Sequence, residues 1–366
     1  MTRTISEMEK FLLTDSKTRD LLPPEQNSLP PDTQLTTKQV QHDISTFARI
    51  LINVYCGWPF YNEKLKQKTL DALLNLYTNA TNEYCEKLFN DLGALLADFP
   101  DNHIRITMNG YNKAAKTKLR KKRPHVGDNI AGDKKFYITT KDDTGIIAIS
   151  SLSAWTKPQE VEFEKQWRSV LPQIKKLVID LRDNRGGNDT YTNKLADHIL
   201  GYNAPNARRI YVRNNPDANR IKNLEKNRMR GRFDVNTPND PVLLPDYSDV
   251  TQQKFISKYA GFNGPIYVLI NGHTASSAEM FCTKIKNYPN VTFIGTNTLG
   301  CEIYGFVVHT SLPNSKIDFA VGFVHRELFV DNFELNGYSP DINVPDGTDA
   351  FDVAMQQIAL NKDKQK

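Results

Sequence analysis

Ile266-Tyr267-Val268-Leu269-Ile270-Asn271-Gly272-His273-Thr274-Ala275-Ser276-Ser277-Ala278-Glu279 decides the fold of this 366-residue chain. The apolar run reads as a short buried strand that stops at Asn271-Gly272. A small, hydroxyl-rich turn follows, and Glu279-Met280-Phe281-Cys282-Thr283-Lys284-Ile285-Lys286 reads as a helix. A serine therefore stands at the start of a helix, just past the carboxyl end of a strand. N–H groups at a helix start have no intrahelical partner and carry partial positive charge. A serine there can attack a carbonyl while backbone N–H groups hold the oxyanion. Taken alone, the segment is more simply read as an N-cap at Ser276 or Ser277.

A second stretch changes that balance. Leu177-Val178-Ile179-Asp180-Leu181-Arg182-Asp183-Asn184-Arg185-Gly186-Gly187-Asn188 is another buried-strand pattern that ends in a charged, glycine-bearing turn. Paired glycines let a backbone approach a ligand closely and expose its N–H groups. One Gly-Gly turn is weak evidence. Two strand–turn–helix units in one chain are stronger as a pair, because open α/β sheets bind ligands at the carboxyl ends of their strands.

The turn Asp180–Gly187 resembles the D-x-R-x-N-x-G-G turn of the S41 serine peptidases, and Thr274-Ala275-Ser276-Ser277-Ala278-Glu279 resembles their nucleophile turn. Asn336-Gly337-Tyr338-Ser339-Pro340-Asp341-Ile342-Asn343-Val344 is similar to the family's G-x-x-P-D-I-x-V segment. The resemblance covers roughly residues 85 to 355. That family includes the C-terminal processing (tail-specific) proteases and the tricorn core. The resemblance implies an α/β fold (α+β), with an N-terminal helical bundle before a ClpP/crotonase-like catalytic domain. It makes Ser276 the nucleophile, with the N–H groups of Gly186 and Ser277 as the oxyanion hole.

The base departs from the best-known pattern. C-terminal processing proteases use a lysine in a T-F-G-K turn, and the matching turn here is Thr298-Leu299-Gly300-Cys301. A Ser–Lys dyad at that position is excluded. The tricorn-like branch supplies a histidine from the end of the N-terminal helical region instead. Leu95-Leu96-Ala97-Asp98-Phe99-Pro100-Asp101-Asn102-His103 stands where that motif is expected, so the resemblance makes His103 the base. Glu334 matches the tricorn-like glutamate, and the resemblance implies that it orients His103 or stabilises its imidazolium, directly or through Asn102. Rival bases are His273, three residues before Ser276, and His309 and His325 in later β-like segments. Glu327 is the rival acid. Cys301 as a nucleophile is the weakest alternative, since an isolated cysteine is more often a small buried filler.

Composition sets ordinary bounds. Apolar residues make up 39% and charged residues 24%, as in soluble globular proteins. The formal charge of +5 does not by itself argue for nucleic acid. No apolar run is long enough to span a membrane. The cysteines at 56, 85, 282 and 301 have no zinc-ligand spacing, and whether Cys56 pairs with Cys85 cannot be read from sequence. Met1–Asp20 has no uninterrupted apolar stretch of the kind a signal peptide needs. Many relatives are exported, so an extracytoplasmic bacterial setting, periplasmic or secreted with the leader absent from this numbering, is expected over a cytoplasmic one.

The chain divides coarsely. Residues 1–36 read as an arm or linker, 37–103 as a helical domain, and 104–144 as a β and basic connecting segment. Residues 145–366 read as the α/β catalytic domain, with a basic insertion at about 203–260. The connecting segment is too short for the PDZ domain that many S41 proteases carry. Its basic run from Lys113 to Arg123 is read first as a solvated loop. The insertion, with a helix expected at about 217–230, is either a lid or a surface elaboration.

The expected activity is peptide-bond hydrolysis through an acyl-enzyme, acting on a peptide or unfolded protein substrate. It needs no metal or organic cofactor and no nucleic acid, and the oligomeric state is open. The alternative is a catalytically inactive peptide- or ligand-binding protein on the same fold.

Overall fold

The computed structural model describes residues 4–24, 28–114, 124–203, 207–225, 239–244, 255–256 and 261–363. The chain forms two compact units. One comprises residues 1–118, 209–248 and 303–327, and the other 119–208, 249–302 and 328–366.

The second unit is built on a six-stranded sheet. Its strand order is Ile342–Asn343, Val291–Gly295, Ile266–Ile270, Lys176–Asp180, Thr144–Ile149, Phe136–Lys141. The pairings are parallel except at the last strand, which runs antiparallel to its neighbour. All five residues of Ile266–Ile270 are buried, as a parallel strand covered on both faces requires. Side chains alternate between the faces. Val178, Tyr267, Leu269 and Ile294 pack with Ala350, Ala354 and Ile358 of the closing helix Ala350–Asp363. Fully burying a large apolar side chain of this kind contributes about 1.5–3 kcal/mol. The crossover helices are Lys157–Val170, Asp189–Leu200 and Ser277–Ile285. Leu269 pairs with Asp180, which sets the carboxyl ends of the two central strands side by side. The Gly-Gly turn and the serine turn leave the sheet at adjacent positions for that reason.

The first unit combines helices with an antiparallel sheet. The helices are Ile5–Leu12, Thr37–Arg49, Glu63–Thr78, Cys85–Leu95 and Pro216–Leu224. The sheet runs Val242–Leu243, Arg209–Val212, Asp318–Glu327, Arg105–Met108, Tyr111–Ala114, and Tyr304–Ser311 pairs antiparallel with Asp318–Glu327 as a hairpin. Thr36 and Gln39 form a capping box that starts the helix Thr37–Arg49. Phe47 of that helix stacks on Phe319 of the hairpin, with ring centroids 4.3 Å apart. Buried Asp43 accepts the N–H groups of Asn314 and Ser315, which fastens the hairpin turn to the helix.

Two features went unread in the sequence. A short capped helix, Ile5–Leu12, buries Met8 and Leu12. A π-helical stretch, Ile50–Val54, ends the helix from Thr37. Of the helix expected at about 217–230, Pro216–Leu224 forms, and residues 226–230 lie outside the described residues. Most of the basic run at 113–123 lies outside them as well. Within the insertion, buried Arg213 binds the Asp240 carboxylate and the carbonyls of Ile52 and Tyr55. That basic residue is a structural strut. All four cysteines are free and buried. Among the described residues no helix is long and apolar enough to cross a membrane.

Candidate active site

The Gly-Gly turn is held by its charged residues. Asp180 and Arg182 form a fully buried bidentate pair at 2.9 and 2.8 Å. Arg182 also donates to the Val126 carbonyl and to Asp349. Asn184 donates to the Ile149 carbonyl, and its own carbonyl accepts the Ala275 N–H. The D-x-R-x-N part of the motif is thus scaffolding that holds Gly186 against the serine turn. A Cβ at Gly186 would lie 2.7 Å from the Ala275 oxygen and the Ser277 nitrogen, and 2.9 Å from Ser276 Cβ. Only glycine permits that approach, at φ +84°.

Ser276 occupies the N-cap position of the helix Ser277–Ile285, so the simple reading of the segment holds for position. Its backbone is different. N-caps are ordinarily extended, whereas Ser276 has φ 53° and ψ −120°. A non-glycine residue in such a region costs about 1–3 kcal/mol and persists only where the surroundings impose it. Here Glu279 imposes it. Its fully buried carboxylate accepts the Ser276 N–H at 2.9 Å, the Thr298 hydroxyl at 2.6 Å, and the N–H groups of Gly300 and Cys301 at 2.7 and 2.9 Å. Burial raises the Glu279 pKa, and those hydrogen bonds oppose the rise. Sequence reasoning treated Glu279 only as a motif marker. Its role rests on partners about 20 residues downstream.

Of the two expected oxyanion donors, Ser277 is the first helical residue, so its N–H meets no intrahelical carbonyl. The Gly186 N–H donates to Asn184 Oδ1 at 2.9 Å. The Ser277 hydroxyl donates to the Gly187 carbonyl and the Thr192 hydroxyl to the Ser277 carbonyl, which tie the two turns together.

Cys301 stands where the lysine of the C-terminal processing proteases would be. Burial, followed by the negative charge of Glu279 and Glu334, pushes its thiol well up. It is therefore a protonated filler, with little thiolate to act as a nucleophile. The Leu335 N–H donates to the Gly300 carbonyl, which joins half-buried Glu334's loop to this same turn. Asn332 and Leu335, on either side of Glu334, both have positive φ.

His103 and Asn102 belong to the first unit, while Gly186, Ser276, Ser277 and Glu334 belong to the second. The His103 side chain is 14% exposed. Burial, then the Arg105 and Arg326 guanidinium groups, holds its imidazole down to about 3, against the Tyr304 carbonyl. It is a neutral imidazole at ordinary pH. The rival bases have other engagements. His273 pairs with Asp183 at 2.9 Å and is 62% exposed. His309 pairs with Asp318 at 2.8 Å. His325 stacks on Phe60 with centroids 3.8 Å apart, and burial lowers it to about 4. Glu327 lies 3.5 Å from Arg209.

The chain shares its fold with several solved structures, each under 25% identical to it. A putative peptidase from Parabacteroides merdae matches over 87% of this chain and 96% of its own, at 19% identity and a TM-score of 0.59. Mature CPAF in complex with lactacystin matches over 90% and 97%, at 13% and 0.57. A lipoprotein from Streptococcus agalactiae matches over 91% and 98%, at 16% and 0.50. No curated protein matches the chain. Residues 143–344 match the model of peptidase family S41, and the chain belongs to that family. Membership supports a peptidase and implies peptide or protein substrates.

Proposed function

We propose that the protein is a serine endopeptidase that works through an acyl-enzyme on Ser276. The observation that carries this reading is the strained Ser276 backbone at a helix start, pressed against Gly186 and fixed by buried Glu279. Ser276 Oγ attacks the scissile carbonyl carbon while His103 takes its proton. The carbon–nitrogen bond then breaks, and His103 returns the proton to the leaving amine. Water hydrolyses the ester by the same route in reverse, with His103 again as base. Glu334 orients His103, directly or through Asn102. The Ser277 N–H and the Gly186 N–H receive the oxyanion. Gly186 does so by sharing or releasing its bond to Asn184. No metal or organic cofactor enters this scheme.

That Gly186–Asn184 bond, together with Cys301 in place of a lysine, favours one second reading: a non-catalytic peptide- or ligand-binding protein on the same fold.

A fluorophosphonate serine probe separates the two. The wild type should label at Ser276, and Ser276→Ala and His103→Ala should both lose labelling. Turnover of a peptide library should fall by about 10⁴–10⁶-fold in each variant. Absence of wild-type labelling and turnover would leave the binding reading in place. Labelling retained in Ser276→Ala would remove Ser276 as nucleophile.

A further inference from the structure

The first unit holds a buried acid that the scheme above does not use. Asp101 is fully buried, two residues before His103. Its Oδ1 accepts the His103 N–H at 2.6 Å and lies 3.9 Å from His103 Nδ1, an ion-pair distance rather than a hydrogen bond. Its Oδ2 accepts the Tyr55 hydroxyl at 2.7 Å, and Tyr55 in turn meets Tyr61, oxygen to oxygen, at 2.5 Å. Tyr55 and Tyr61 also pack their rings against Phe99 and Tyr304. Among the charged and titratable groups of the same unit, Arg105, Arg326, Tyr304 and His325 face this cluster.

We propose that Asp101 is a positioning residue for the reaction: its carboxylate fixes the His103 backbone and steadies the imidazolium that forms when His103 takes a proton. The inference rests on the reading of His103 as the base. A carboxylate at this distance from an imidazole favours its charged form, most strongly where water is excluded. The proton moves from Ser276 Oγ to His103 and on to the leaving group, and Asp101 never receives it. Asp101 must be ionised to serve. Burial raises its pKa to about 7, opposed by the N–H groups of His103 and Ile104, the Tyr55 hydroxyl and the Arg105 charge. Below that pH His103 has a neutral neighbour and is a poor base. Above it the neighbour is an anion.

The test follows the rate of fluorophosphonate labelling of the full chain across pH. The wild type should show a rise centred near 7. Asp101→Asn should lose the rise and label about 10²-fold or more slowly at alkaline pH. The Tyr55 hydroxyl favours the ionised carboxylate, so Tyr55→Phe should move the rise to higher pH. A merely structural role for Asp101 would lower the amount of folded protein without moving the midpoint. Asp101→Asn with the wild-type rate and midpoint would overturn the proposal. So would an unmoved midpoint in Tyr55→Phe, which covers the case of Asp101→Asn failing to fold. Labelling lost in Ser276→Ala and His103→Ala but kept in Asp101→Asn sinks the Asp101 role alone. A wild type unlabelled at every pH sinks the reading it rests on.

Discussion

Glu279 shows how much one side chain can hold. Its four partners all donate, which only an ionised carboxylate can satisfy in full. The Thr298 hydroxyl accepts the Tyr338 N–H, so its own proton is committed to Glu279. Glutamine at 279 would offer one acceptor oxygen and turn an amide donor toward buried N–H groups. Glu279→Gln should therefore lose roughly 3 kcal/mol of stability and most fluorophosphonate labelling. Denaturant unfolding and probe kinetics would check both, and retained labelling would mean that Ser276 keeps its backbone without this anchor. The candidate serine was readable because its motif is contiguous. The anchor was not, because Thr298, Gly300 and Cys301 reach Glu279 only through the fold. Asp101 stood in the quoted stretch before His103, but its contact was unreadable for the same reason: its partner Tyr55 lies 46 residues away.

At the scale of elements, the candidate serine and its glycine neighbour sit on two strand–turn–helix units, and local patterns sufficed to find them. Lys176–Asp180 and Ile266–Ile270 are short, largely apolar runs whose burial on both faces erases alternation, and each runs into a turn, one carrying Gly186-Gly187 and the other opening with Asn271-Gly272. What sequence could not give was the closeness of the turns, which comes from the register that pairs Leu269 with Asp180. That closeness makes Gly186 sensitive. In Gly186→Ala the new methyl group would meet backbone atoms at 2.7 Å, which a flexible side chain could avoid but the two turns cannot. Gly347 has a similar positive φ of 80° with open space around it. Gly347→Ala should cost only the left-handed penalty of about 1–2 kcal/mol and label normally. Gly186→Ala should cost more and lose labelling. Equal labelling in the two variants would mean that the turn can yield, and that close approach to Ser276 is not what the glycine supplies.

At the scale of the whole molecule, titration should divide along identifiable groups. The fold class and the family were readable from the paired turns. The pH behaviour was not, because burial is a property of the folded chain. His103, held down to about 3, stays neutral in the fold, so its contribution to stability is present above its unfolded value near 6.5 and is lost as pH falls toward 3. Asp101, raised to about 7, is favoured when protonated. Its contribution is present below its unfolded value near 4 and is lost as pH rises through 7. The two slopes have opposite signs and overlap between about pH 4 and 6.5, where each masks the other. Removing one should expose its partner. Relative to the wild type, Asp101→Asn should gain stability as pH is raised from 4 to 7. His103→Ala should gain it as pH is lowered from 6.5 to 3. Urea unfolding of each variant beside the wild type at several pH values reads both trends. Parallel curves across that range would mean that neither group changes its pKa on folding, and the low basicity assigned to His103 would fall with them.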